Sequence, residues 1–151
     1  EILPSDWSSD VCSSDLGKGS IVRQGARIAI LAAGPLLKTA LEVADALQEE
    51  GLHVSVANMR FLKPLDTGLI EKLAMTATHL VVIEENSVIG GMASAVIDCL
   101  NEKRLHVPVL KIGLPDRFVT HGSMPELYRD IGMAKEDMLA RVRMFYDGRK
   151  I

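Results

Sequence analysis

In 151 residues the sequence has only two cysteines, Cys12 and Cys99. That excludes a disulfide framework and a thiolate zinc site, and a reducing, cytoplasmic setting is expected. No apolar run approaches the roughly 18 residues a membrane-spanning helix needs. The basic-then-apolar order of a secretory leader is missing too. The four histidines, His53, His79, His106 and His121, are scattered, with no two at helical ligand spacing, so no metal site is expected. The patterns GxGxxG, GxxxxGKS/T, GxSxG and HExxH are all lacking, which removes the usual phosphate-cradling, serine-hydrolase and zinc-protease signals.

An excess of one charge is lacking as well. The formal net charge of −3 comes from the first sixteen residues, which hold Glu1, Asp6, Asp10 and Asp15 but no Lys or Arg. The rest carries 17 basic against 16 acidic residues. Neither nucleic acid nor an anionic membrane is implied as a partner. What is present suits one globular domain with a genuine core: 48% hydrophobic and 25% charged residues.

Residues 1–16, EILPSDWSSDVCSSDL, show neither a helical nor a strand period, and SSD occurs twice. The run Asp10 to Leu16 looks like a translated sequencing-adapter oligonucleotide. The expectation is a non-native segment ahead of a truncated gene; the alternative is a natural N-terminus without regular structure. The domain is therefore placed at 17–151.

Within it, Gly17 to Gly25 reads as a short lead-in strand between glycines. Arg27 to Ala33 is an almost continuous apolar run, as in a strand covered on both faces. Gly34-Pro35 opens a helix whose Leu37, Ala40, Leu41, Ala44 and Leu47 form one apolar stripe, with Gly51 placed to end it. The alternation continues with a strand His53 to Asn58, a helix capped by Asp66, a strand His79 to Glu84, a helix Met92 to Leu100 and a strand Val107 to Ile112. Pro125 to Ile131 and Lys135 to Tyr146 read as closing helices. This predicts an α/β fold: three layers, a mostly parallel five-stranded sheet, and helices on both faces.

Ligands of such sheets sit beyond the carboxyl ends of the strands. Three loops are expected there: Gly34-Pro35, Glu84 to Gly91, and Gly113 to Gly122. Glu84 and Glu85, with Asn86 beside them, could serve acid-base work; alternatively one meets backbone amides or a basic residue and the other is solvated. Gly90-Gly91 before a helix could cradle a phosphate, or could let the helix approach the sheet closely. Asp116-Arg117 could hold an anion, bridge to another domain, or form a weak surface ion pair. His121 could shuttle a proton. Cys99, on an apolar helix face, reads as core rather than nucleophile.

Three segments, RFLKPLD (Arg60 to Asp66), VVIEENSVIGG (Val81 to Gly91) and GLPDRFVTHG (Gly113 to Gly122), resemble the C-terminal domain of the 1-deoxy-D-xylulose-5-phosphate synthases, members of the transketolase family. The resemblance covers Gly17 to Met144. The first two segments also fit transketolases and 2-oxo-acid dehydrogenase beta subunits; the third separates them. The resemblance implies thiamine-diphosphate- and Mg²⁺-dependent homodimers that join pyruvate and glyceraldehyde 3-phosphate with loss of CO2. It implies too that cofactor, metal and catalytic residues, including the activating glutamate, lie in preceding domains. This domain would then bind no cofactor and be inactive alone. Its role would be packing against those domains and a second subunit, with Glu84, Glu85, Asn86, Gly90, Gly91, Asp116, Arg117 and His121 as candidate interface positions. A non-enzymatic α/β binding module is the alternative.

Overall fold

A computed structural model describes residues 16–119 and 121–148. The expectation for residues 1–16 therefore falls, Leu16 aside, outside the described residues, as does Thr120 of the third segment.

The chain runs β1 (Ser20–Arg23), β2 (Arg27–Ala32), α1 (Leu36–Glu49), β3 (Val54–Asn58), α2 (Thr67–Thr76), β4 (Ala77–Ser87), α3 (Met92–Glu102), β5 (Val109–Leu114), α4 (Met124–Asp130) and α5 (Lys135–Tyr146). The strands form one sheet in the order β1-β3-β2-β4-β5. All neighbours are parallel except β1, which runs antiparallel to β3. The mostly parallel, five-stranded α/β sheet expected from the alternation is what is found.

Period-two alternation sorts the strand residues onto two cores. Ile28, Ile30, Val54, Val56, Val81, Ile83, Leu110 and Ile112 pack with α1 and α5 on one face. Ala29, Leu31, Ala57, Leu80 and Val82 pack with α2 and α3 on the other. Because both faces are covered, β2 reads as an unbroken apolar run rather than an alternating one. Leu47 ends the stripe of α1 fully buried, and Gly51 follows at φ +82°. There the Gly51 amide donates to Gln48 and the Leu52 amide to Leu47, closing the last turn.

Strand boundaries differ from expectation most on β4 and β5, while β2 and β3 each differ by one residue. β4 extends to Ser87, because the Val88 amide still reaches the Leu114 carbonyl at 3.0 Å and closes the ladder. The run Glu84-Glu85-Asn86 is thus strand, not loop. β5 begins at Val109 rather than Val107, since Pro108 has no amide to donate. The third segment becomes loop only from Pro115 onward.

Candidate functional site at the carboxyl edge of the sheet

Successive side chains on β4 point to opposite faces, so Glu84 and Glu85 part company. Glu84 enters the α2/α3 side and is 3% exposed. Its Oε2 accepts the Met92 amide at 2.6 Å and its Oε1 the Ala93 amide at 3.0 Å. Gly91 occupies the cap position of α3 and offers no side chain, so a strand residue satisfies the helix's first amides. A β-carbon on Gly91 would lie 2.2 Å from Glu84 Oε2 and 2.4 Å from the Ser87 carbonyl oxygen. Only glycine lets the chain pass so near the carboxylate.

That arrangement decides the chemistry of Gly90-Gly91. Amides free to hold a phosphate would have to be unoccupied, but those of Met92 and Ala93 donate to the Glu84 carboxylate and that of Gly90 donates to the Ser94 hydroxyl. The site does not fit a diphosphate. Among the described residues, no group of three His, Cys, Asp or Glu converges to hold a metal ion.

Glu85 is exposed on the opposite face and accepts a hydrogen bond from the Tyr128 hydroxyl. That bond, with partial burial, pushes the Tyr128 pKa up to about 12. The pair borders a cavity of about 490 Å³ whose floor is Leu114, Leu127, Ile131 and Met133, with Val119 and His121 at its side. His121 is exposed, with no partner among the described residues. Asn86 borders a second, smaller cavity of about 190 Å³ with Gly34, Pro35 and Leu62.

Asp116 and Arg117 diverge. Asp116 is exposed, while Arg117 turns back to the Asp130 carbonyl at 3.0 Å, with the Asp130 carboxylate at 3.5 Å. The partner of Arg117 is thus at the end of α4, not the adjacent Asp. Cys99 is buried, and that burial raises its thiol pKa, the reverse of what a nucleophile needs.

Sequence reasoning passed over Tyr128, the partner of Glu85. A tyrosine inside the amphipathic run of α4 carries no mark that its hydroxyl crosses to a strand 43 residues away. It also passed over the exposed apolar residues of this edge: Leu62 after β3, Ile89 after β4, and Phe118 and Met124 after β5. Asp66, by contrast, caps α2 through the Leu69 amide at 2.9 Å as its position suggests. Its second oxygen takes the Gly19 amide, also at 2.9 Å, and pins the incoming chain to the same edge.

A mostly parallel five-stranded sheet covered by helices on both faces, with the Gly90-Gly91 start of α3 closed by the Glu84 carboxylate, defines a three-layer α/β domain. The chain belongs to the family described as Transketolase, C-terminal domain, whose sequence model matches residues 17–138. It is 50% identical over 134 residues to the 1-deoxy-D-xylulose-5-phosphate synthase of Chlorobium phaeovibrioides, covering 89% of this chain and 21% of that protein. The synthase of Chlorobaculum tepidum is 46% identical over 131 residues, covering 87% and 21%. The chain thus spans about a fifth of the length of these curated relatives. Among solved structures, a split gene transketolase described as an inactive beta4 tetramer superposes with a TM-score of 0.80 at 35% identity, over 89% of this chain and 44% of that one. A transketolase from Pichia stipitis, at TM-score 0.65 and 19% identity over 90% of this chain and 19% of that one, shares the fold.

Proposed function

We propose that this chain is the C-terminal part of a 1-deoxy-D-xylulose-5-phosphate synthase. That enzyme joins pyruvate to glyceraldehyde 3-phosphate with release of CO2, making a precursor for isoprenoid, thiamine and pyridoxal synthesis. The observation that carries the reading is the 50% identity over 134 residues to such a synthase. The lower identity to the split gene transketolase, 35%, places transketolase second.

Thiamine diphosphate supplies the carbanion chemistry of this reaction, and Mg²⁺ anchors its diphosphate. In this reading both are held by domains outside the chain. The occupied amides at the start of α3 support that. The local contribution is assembly. Leu62, Ile89, Phe118 and Met124 leave apolar surface on one edge, as expected where neighbouring domains pack. The incoming chain lies at that edge as well: a β-carbon on Gly17 would be 2.6 Å from Pro64 Cγ. Preceding domains would join there, and the candidate positions Glu85, Asn86, Asp116, Arg117 and His121 would face them or a second subunit. The inactive beta4 assembly of the split gene relative supports the companion proposal that this part is inactive alone. The same reading puts residues 1–16 outside the functional domain.

The test is a graft. Residues 17–151 replace the matching C-terminal fifth of the Chlorobium phaeovibrioides synthase. The chimera is expected to form 1-deoxy-D-xylulose 5-phosphate from pyruvate and glyceraldehyde 3-phosphate. This chain alone, with thiamine diphosphate and Mg²⁺ added, is expected to leave pyruvate unchanged. A folded, dimeric but inactive chimera, or decarboxylation by the chain alone, would overturn the reading.

A further inference from the structure

We propose that the pocket at the outer edge of β5, between Lys111 and Arg141, binds the phosphate group of a small phosphate monoester. The pocket has a volume of about 400 Å³, and its remaining wall is Val88, Pro115 and Ile131 with Gly113 and Gly132. It lies outside the two cavities that Glu84, Glu85 and Asn86 border.

β5 is the last strand of the sheet and pairs with β4 alone, so its outer edge has main-chain groups without a sheet partner. Arg141, from α5, covers one of them by donating to the Lys111 carbonyl at 2.9 Å. Lys111 lies on the other face of the strand, alternating with Leu110 and Ile112, which pack toward α5. Its Nζ donates to the Val88 carbonyl at 3.2 Å. Two cations therefore straddle one strand edge and line one pocket.

Both are half-buried, and each spends one donor on a carbonyl. Among the described residues, neither has a carboxylate within ion-pair distance. Arg23, Arg117 and Arg143, by contrast, all sit in ion pairs. Burial lowers the pKa of Arg141, and the Asp137 carboxylate, one turn earlier on α5, acts in the opposite direction. With Asp137 counted, the pocket keeps a net positive charge. Asp137 offsets the burial of this guanidinium only in part, so a further anion in the pocket would stabilise it.

The geometry favours phosphate over carboxylate. A planar carboxylate is satisfied by the guanidinium fork alone. Here a guanidinium and an ammonium line one pocket, and together they offer more donors than one carboxylate accepts, which suits the three oxygens of a phosphate group. Val88, Pro115 and Ile131 offer apolar contact to the remainder of a small ester. The competing occupant is a carboxylate side chain from a neighbouring domain, for which acetate serves as the probe.

The test is a titration of the isotope-labelled 151-residue chain, followed by the amide resonances of Lys111, Gly113 and Gly132, at constant ionic strength. Inorganic phosphate is expected to give saturating shifts confined to these amides and to bind at least about tenfold more tightly than acetate. Lys111→Gln and Arg141→Gln should each weaken phosphate binding about tenfold, while Lys111→Arg retains it. Shifts that never saturate and scatter over surface lysines overturn the proposal. Equal binding of acetate and phosphate does too, as does unchanged binding in Arg141→Gln. If either glutamine variant fails to fold, the comparison of phosphate with acetate on the unaltered chain still decides. None of these measurements uses catalysis, so the outcome is independent of the graft experiment above.

Discussion

Glu84 and Glu85 are neighbours in sequence, yet they belong to different regions of the molecule. Glu84 is sealed between β4 and the start of α3, with both oxygens committed to backbone amides. Glu85 stands exposed on the other face, holding one tyrosine hydroxyl across a cavity rim. One strand pleat separates a structural anion from a surface one. The lesson is about reading paired carboxylates at a strand end. Such a pair suggests acid-base chemistry, but alternation along a strand sends adjacent residues to opposite sides of the sheet. Two groups meant to share one substrate are better placed two residues apart.

The contrast can be broken most forcefully at Gly91. Gly91→Ala would drive a methyl group into the Glu84 carboxylate and the Ser87 carbonyl, separations of 2.2 and 2.4 Å that no side chain tolerates. The carboxylate must leave its amides or the start of α3 must shift. A loss of about 3 kcal/mol or more is expected, read as a lower urea midpoint with an unchanged slope. Glu84→Ala removes the acceptor without crowding and strands two buried amides. It should cost about 2–4 kcal/mol, with Glu84→Gln recovering part of this through its one remaining oxygen. If Glu84→Ala proves as mild as a surface substitution, the cap is not what holds α3 to the sheet.

How far this contrast was legible in the sequence depends on where each partner lies. Asp66 caps a helix that starts one residue later, so a local pattern sufficed. Gly51 could be placed because glycine is the residue that takes φ +82° without strain. The end of α3 shows the limit of that rule. There Arg104 sits at φ +55° and the Leu105 amide closes on Leu100 in the same way, with no glycine to mark it. The cap on α3 comes from another element, and nothing in Gly90-Gly91 distinguishes a carboxylate-filled start from a phosphate-ready one. The order of strands and helices was legible because each element carries its own period. The pairing of Glu85 with Tyr128, and of Lys111 with Arg141, depends on which elements become neighbours in space.

The smallest expected effect lies on the exposed side and sharpens the contrast from below. Glu85→Gln should change stability at neutral pH by less than about 1 kcal/mol, since its bond to Tyr128 is at the surface. Its signature is titration instead. The Tyr128 pKa is raised to about 12 in the folded chain, first by the hydrogen bond to Glu85 and then by burial; in the unfolded chain it is about 10. The folded state therefore holds this proton more tightly than the unfolded one. The stabilisation is fully present below pH ~10 and is lost as the pH rises through about 12. Ultraviolet titration of the phenolate band should show a tyrosine ionising near 12 in the parent chain. Glu85→Gln should bring that step down toward the ordinary tyrosine value, because an amide oxygen holds the hydroxyl proton less strongly than a carboxylate. A Tyr128→Phe variant identifies the step by abolishing it. If the late ionisation persists in Glu85→Gln, burial alone raises Tyr128, and the outer glutamate does no more than face solvent.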